Sequence, residues 1–267
     1  IKAIKESGPN TIIGYWCNQR VKDILKDNPG IYKIFALSRG DLKKIYRKSL
    51  WQGINQSINL VRNIKKERFD TMLDFSLDHR YSLIAKTAGI KKRIGFNYKN
   101  RGRFLTDKID VGGYSEKHVV DYYLELLEPL GIGPKARNLE LIIPQSCKIK
   151  SKDILAQCGL SDKDLVAGIA PGAGASWGLD ARLKHWPAKS FGQLADRIIN
   201  EFRAKIIILG DESEKPLADT IINNMRNKPI NLVGETTLEE LCGIIDNLHV
   251  LVTNDGGPLH IAVALGK

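Results

Sequence analysis

The second half of the chain constrains the fold most. Residues 165–170, 205–209, 230–233 and 249–253 are short runs dominated by apolar residues. Each is followed by a longer amphipathic stretch, at 190–202, 216–226, 238–246 and 257–265. A strand that is apolar on both faces must be covered on both faces. Helices long enough to cross over supply that cover, so the alternation predicts a parallel sheet with helices on its two sides. The first half repeats the theme less clearly. Strands are expected at 11–16, 31–37 and 69–75. Ile54, Ile58, Val61 and Ile64 fall at helical spacing within 54–67. A further helix is expected over 119–130, ending at a Gly131 C-cap. The stretch 144–163 is polar and rich in Lys and Ser, and reads as a linker over 144–151 with a short helix over 152–158. The expectation is an α/β protein of two domains, 1–143 and 164–267, joined by 144–163.

Composition removes several classes of function. With 43% hydrophobic and 27% charged residues, the chain is an ordinary globular sequence. No apolar run approaches the roughly 20 residues that a membrane-spanning helix needs. Forty-one Lys and Arg against 30 Asp and Glu leave a net charge of +11, which favours a polyanionic partner. The basic residues read as spread along the chain rather than interleaved with aromatics in one tract, so a nucleic-acid partner is not expected. Cys17, Cys147, Cys158 and Cys242 form no C-x-x-C pair, and no His stands at zinc-ligand spacing from them. Neither a disulfide framework nor a metal site is expected, and a reducing cytoplasm is the natural compartment.

Open parallel sheets bind ligands beyond the carboxyl ends of their strands. Three loops stand there in the second half. The first, Pro171-Gly172-Ala173-Gly174-Ala175-Ser176, is built of small residues that let backbone N–H groups approach a phosphate, or it is simply a β–α turn. Its spacing is neither that of a P-loop nor G-x-G-x-x-G. Lys184-His185-Trp186-Pro187 follows; Pro187 suits a helix start, and Lys184 would bring a cation to the same loop. The second loop, Gly210-Asp211-Glu212, puts carboxylates where a ribose diol could be held, or where a helix is capped. Thr236-Thr237-Leu238-Glu239-Glu240 reads as a capping box with Thr237 as N-cap, and Thr236 could stand near a base or ribose. The third, Asn254-Asp255-Gly256-Gly257-Pro258-Leu259-His260, runs from a buried strand into a helix start. Gly256 and Gly257 would offer N–H groups to an anion, Asp255 would cap the turn, and His260 would face the same anion.

Taken together, these residues resemble the lipopolysaccharide heptosyltransferases, glycosyltransferase family nine. The resemblance rests on the small-residue loop, Lys184-x-Trp186-Pro187 and the Asp255-Gly256-Gly257-Pro258-Leu259-His260 motif. In the first half, Phe69-Asp70-Thr71-Met72-Leu73-Asp74 is similar to the family's Tyr-Asp-x-x-(Val/Ile)-Asp strand, and Arg93-Ile94-Gly95-Phe96 to its Arg-Ile-Gly.

The resemblance implies a GT-B fold, two Rossmann-like domains with parallel sheets facing a central cleft. It implies a cytoplasmic inverting glycosyltransferase of a Gram-negative bacterium, working at the inner leaflet of the inner membrane without metal or cofactor. The donor would be ADP-heptose and the acceptor the anionic glycolipid of the lipopolysaccharide inner core, lipid A–Kdo. Ala173, Ala175 and Ser176 would line the diphosphate, and Lys184 would stabilise the leaving ADP. Glu212 would hold the ribose, Thr236 would lie near the adenosine, and Asp255, Gly256, Gly257 and His260 would contact phosphates and sugar. Arg93, Lys99, Arg101 and Arg103 are candidates for acceptor contact, or form a solvated basic face. The family's general-base Asp comes from a glycine-containing loop after a first strand. Nothing before Thr11 matches that loop, and nothing after Gly266 matches the family's closing strand and helix, so the chain is expected to be truncated at both ends and to lack the base. The same fold with another nucleotide-sugar donor, a catalytically silent nucleotide-sugar-binding module, and more distantly a basic nucleic-acid-binding protein are the alternatives.

Overall fold

The structure is a computed structural model that describes residues 1–133, 137–172 and 185–267, apart from the side chains of Arg20 and Arg39. The chain forms two units, Ile1–Arg137 and Asn138–Lys267.

The first unit runs α1 (Lys2–Ser7), β1 (Gly14–Cys17), α2 (Lys22–Leu25), β2 (Lys33–Ala36), α3 (Arg39–Lys48), α4 (Leu50–Lys66), β3 (Thr71–Asp74), α5 (His79–Thr87), β4 (Lys92–Asn97), β5 (Asp107–Asp110) and α6 (Val119–Glu125). All pairings are parallel: β1 with β2, and β3 with β4 with β5. One core gathers Phe35 of β2, Leu60 and Ile64 of α4 and Ala85 of α5, with Trp16, Phe69 and Met72 packed against them, so side chains unite the two sheets. Gly14 is required there, because a Cβ would run into the rings of Phe69 and Phe35. A second core joins Ile94 and Phe96 of β4 to Tyr122 and Leu126. The helix expected over 119–130 stops at Glu125 and continues as a 3-10 turn, Glu128–Leu130. Pro129 in that turn has no N–H to continue an α-helix, and Gly131 closes the turn in the left-handed region at φ 73°.

The second unit runs α7 (Gln145–Gln157), β6 (Val166–Ala170), α8 (Ala188–Phe202), β7 (Lys205–Ile208), α9 (Lys215–Asn223), β8 (Ile230–Asn231), α10 (Leu238–Asp246), β9 (Val250–Thr253) and α11 (Gly257–Ala264). Its strands form one parallel sheet in the order β8-β7-β6-β9. Every residue of β6 is buried. Ile169, Ile206 and Ile208 pack from the sheet against Phe191 and Ala195 of α8 and Ala218 and Ile221 of α9.

The expected linker is a correction. Residues 144–151 are not a connection but lead into α7, a helix of 13 residues that packs on α10. Its Lys and Ser content hid this. Ser151 and Leu155 are buried, while Lys150 and Lys148 reach out to Glu240 at 2.5 Å and Asp246 at 3.4 Å. Gly243 of α10 makes the close approach possible, because a Cβ there would overlap the Ser151 hydroxyl and crowd the Cys147 carbonyl at 3.1 Å. The boundary between the units accordingly falls at 137/138, not at 143/144.

Candidate functional site

In the second sheet β6 leads through α8 to β7 and β8 on one side, while β9 pairs on the other side of β6; such a reversal of strand order marks the switch point at which open parallel sheets bind ligands. One side chain spans it. Asn254, just past β9, donates through Nδ2 to the Pro171 carbonyl at 2.5 Å, and its Oδ1 accepts from the Trp186 backbone N–H at 3.1 Å. Asn254 therefore ties the loop after β6, the entry to α8 and the loop after β9 to one another. Trp186 packs edge-on against Phe191 with ring centroids 4.9 Å apart, which anchors this entry on the buried core. Pro187 stands as the N-cap of α8. Of the residues expected to act on this loop, Ala173, Ala175, Ser176 and Lys184 lie outside the described residues.

At the start of α11 the structure differs from expectation in one detail. Gly256, not Asp255, is the N-cap, and no side chain caps the helix. The reason is geometric: the residue in cap conformation is the one directly before the first helical turn, and here that residue has no side chain. Gly257 and Leu259 carry the first backbone N–H groups, Pro258 having none. This is the positive end of the helix, ready for an anion. Asp255, Gly257 and His260 are exposed around it, and Gly256 is half-buried.

The β7 and β8 ends form the neighbouring part of the edge. Glu212 begins a 3-10 turn, Glu212–Glu214, and pairs with Lys215 at 2.9 Å; Lys215 also lies 3.6 Å from Glu235. That pairing, through the Glu212 hydrogen bond first, raises the Lys215 pKa. Gly234 after β8 has φ 78° and lies close enough that a Cβ would meet Glu212. Thr236 is half-buried two residues on, and Thr237 with Glu240 forms the expected capping box. Glu214 was missed by sequence reasoning. It completes a capping box with Asp211, accepting the Asp211 N–H at 3.0 Å, and its carboxylate fills the space over Gly172 and Gly210. Burial pushes its pKa up. The signal was the Asp211-x-x-Glu214 spacing beside two glycines.

In the first unit the basic candidates lie on β4 and on the loop that runs from its carboxyl end back to the amino end of β5. Arg93 does not reach outward: its Nε donates to the Phe104 carbonyl at 2.7 Å, and its Nη1 to the carbonyls of Lys91, at 2.9 Å, and Ile90. The loop between β4 and β5 holds the other three basic candidates. Lys99 lies over the Tyr98 ring at 5.0 Å, Arg101 at 6.0 Å from the same ring, and Arg103 over Phe104 at 4.9 Å. Beside this loop, at the end of β3, Asp74 was also missed. It is 5% exposed and accepts the Ser76 N–H at 2.9 Å and hydroxyl at 2.6 Å. Burial lifts its pKa to about 6. An Asp closing an apolar strand is its signal in the sequence. Among the described residues no cluster of His, Cys, Asp and Glu could hold a metal, and no helix is long and apolar enough to cross a membrane.

Two parallel α/β units, the second with an uncapped glycine helix start at its switch point, define a pair of Rossmann-like domains. The chain belongs to glycosyltransferase family 9 (heptosyltransferase), whose description matches residues 57–267. It is similar to lipopolysaccharide heptosyltransferase 2 of Salmonella typhimurium, with 26% identity over 223 residues covering 80% of this chain and 62% of that one. The chain thus spans less than two thirds of that relative. Among solved structures, a family 9 glycosyltransferase from Veillonella parvula superposes with a TM-score of 0.82 at 21% identity, covering 99% of this chain and 73% of the other. The ADP-heptose LPS heptosyltransferase II of Escherichia coli gives 0.74 at 21% identity, with 100% and 76% covered. The fold is GT-B.

Proposed function

We propose that the protein takes part in inverting transfer of a heptose from ADP-heptose to the lipopolysaccharide inner core, with the second unit holding the donor and the first the acceptor. One observation carries the reading: the family match runs through every element of the second sheet's carboxyl edge, including the uncapped start of α11. In this reaction the acceptor hydroxyl oxygen attacks the anomeric carbon from the face opposite the diphosphate. The bond from that carbon to the phosphate oxygen breaks, ADP leaves with the electron pair, and the hydroxyl proton passes to a base. The main demand on the protein is charge stabilisation at the leaving diphosphate. The N–H groups of Gly257 and Leu259 and the positive end of α11 suit that demand, with Lys184, Ala173, Ala175 and Ser176 as the further donor contacts.

Glu212 and Thr236 stand at neighbouring strand ends, in reach of a ribose and base bound along the same edge. Asp255 and His260 flank the helix start on its exposed side. Lys99, Arg101 and Arg103 are the acceptor's cationic contacts, held out on aromatic rings; Arg93, spent on three carbonyls, supports that loop instead. The reaction runs without metal or cofactor, at the cytoplasmic face of the membrane that carries the acceptor.

Calorimetric titration with ADP, ADP-heptose, UDP and NAD tests the donor half. Selective binding of ADP and ADP-heptose, weakened about ten-fold or more by Lys184→Ala or Asp255→Ala, is the expected outcome. Selective UDP binding would move the donor to another nucleotide sugar. Folded protein that binds none of the four would overturn the reading.

A further inference from the structure

α3 and α4 follow each other with only Ser49 between them, and they carry charge far out of proportion to their length. Residues 39–66 contain eight Lys or Arg against the single Asp41, a net +7 of the chain's +11. The basic excess is therefore not spread along the chain, as the sequence suggested, but concentrated on one helical pair. α4 turns Gly53, Leu60 and Ile64 into the core. Beside that buried face runs a second apolar row, Leu50, Trp51, Ile54 and Ile58, at the i, i+3, i+4 spacing of one helix side. This row points to solvent: Trp51 is 79% exposed and Leu50 64%. Its continuation along the same side is Arg62 and Lys65. The remaining side carries the uncharged Gln52, Gln56, Asn59 and Asn63. Tyr46 lies across Gly53 and meets the Ser57 hydroxyl at 3.1 Å, which packs α3 onto α4; Arg47 and Lys48 stand exposed just before the row that begins at Leu50, and Lys43 and Lys44 are exposed one turn earlier on α3. None of these cations makes an ion pair among the described residues.

We infer that the α3–α4 pair is a membrane-docking surface that inserts its Leu50–Ile58 row at the headgroup level of an anionic bilayer. The occupant follows from charge complementarity. A bare apolar row would suit a second copy of the chain, but two copies would bring +7 against +7. A row with an exposed Trp and cations at both ends matches an interface whose hydrocarbon lies beneath anionic headgroups. Lys and Arg can lay their apolar stems along such a surface while the charges stay among the phosphates. The inference rests on the proposed glycolipid acceptor for its choice of bilayer, and on the residues of α3 and α4 for the rest.

Co-sedimentation with phosphatidylethanolamine–phosphatidylglycerol vesicles, against phosphatidylcholine vesicles, tests it. The chain should bind the anionic vesicles, lose them as salt is raised, and ignore the neutral ones. Trp51→Ser should weaken vesicle binding about ten- to hundred-fold, the worth of one buried aromatic. Each of Lys44→Gln, Arg47→Gln and Arg62→Gln should weaken it about five-fold. All these side chains are exposed, and unchanged circular dichroism and unchanged ADP binding confirm that the fold is intact. Binding indifferent to Trp51→Ser, equal binding to neutral vesicles, or a dimer in sedimentation equilibrium that Trp51→Ser dissociates would overturn the inference. Loss of ADP binding with vesicle binding retained would instead strike the proposed donor site and leave the docking surface standing.

Discussion

The two units solve the same architectural problem and finish it with opposite chemistry. Both are parallel sheets whose strands end at an edge where loops gather. In the second unit that edge is built from glycines and capped turns: Gly256 and Gly257 leave the first N–H groups of α11 open, Gly172, Gly210 and Gly234 make room for the Glu214 and Glu212 carboxylates, and Asn254 staples the loops after β6 and β9 together. In the first unit the edge is crowded. Asp74 is sealed in beside Tyr114, and Tyr123 meets Phe75 at 5.1 Å, while Lys99 and Arg101 ride on Tyr98. An edge of backbone N–H groups suits a ligand whose recognisable part is a diphosphate. An edge of aromatic rings and exposed cations suits a larger, anionic partner with apolar and polar faces. The difference teaches that the parallel α/β unit supplies only the place; glycine content at the strand ends decides whether backbone or side chains meet the ligand.

The largest expected effect separates the units energetically. Phe191→Ala removes a ring that is 1% exposed and the base on which Trp186 rests. A loss of about 3–5 kcal/mol is expected from such a truncation. Hydrogen exchange should show it in β6 to β9 and leave the protection of β3 and β4 unchanged. Equal loss in both units would break the comparison by making them one cooperative block.

Asp74→Asn acts on the other edge and has a pH signature. The folded-state pKa, about 6, lies above the ordinary carboxylate value. The folded protein therefore holds a proton that the unfolded chain releases, and stability falls as pH rises from about 4 to about 6. Above that window the buried carboxylate costs about 2–3 kcal/mol, at 1.36 kcal/mol per pH unit. Asn keeps an acceptor for Ser76 and carries no charge. Denaturant midpoints should rise at pH 7.5 and lose this part of their pH dependence. A variant less stable than the parent at pH 7.5, with the slope unchanged, would show that the carboxylate is stabilising.

Asn254→Ala removes the staple and leaves the Pro171 carbonyl and the Trp186 N–H without that partner. A cost of about 1–2 kcal/mol is expected in urea unfolding, with ADP affinity falling up to about ten-fold as the loop ends separate. Unaltered ADP affinity would mean that the staple serves stability alone.

The smallest effects should be equal in the two units. Ser38 with Asp41 and Thr237 with Glu240 form the same capping box on α3 and α10. Ser38→Ala and Thr237→Ala should each cost about 1 kcal/mol in thermal unfolding. A marked inequality would show that one helix start depends on more than its cap.

Legibility in the sequence followed burial. α10 begins and ends at the residues expected from Thr237 and the apolar run after it, because cap and core signals agree. Strands β6 and β7 were readable within a residue, since both faces are covered, and β9 was readable from its apolar run although it is only half-buried. β5 was not: Asp107-Lys108-Ile109-Asp110 has one apolar residue, and only its pairing with β4 makes it a strand. α7 was half hidden, because its outward lysines dominate its composition. Of the candidate site, the glycine-rich helix start at Gly256 and the edge position of Glu212 were readable. Asn254 was not, since it matters through contacts distant in sequence, and the local signals of Glu214 and Asp74 gained meaning only from burial.

The sequence by itself determined that this is an α/β chain of two parallel-sheet units, with glycine-marked loops at the ends of the second unit's strands and membership in a family recognisable from those loops. Periodicity and backbone freedom are local properties, and local properties are written residue by residue. The tertiary structure alone decided that Asn254 bridges two loops, that Arg93 is spent on carbonyls while Lys99, Arg101 and Arg103 face out, that Asp74 holds its proton to about pH 6, and that a row headed by Trp51 lies bare among cations. Each depends on which atoms exclude water from which others, and that is set only when distant segments pack.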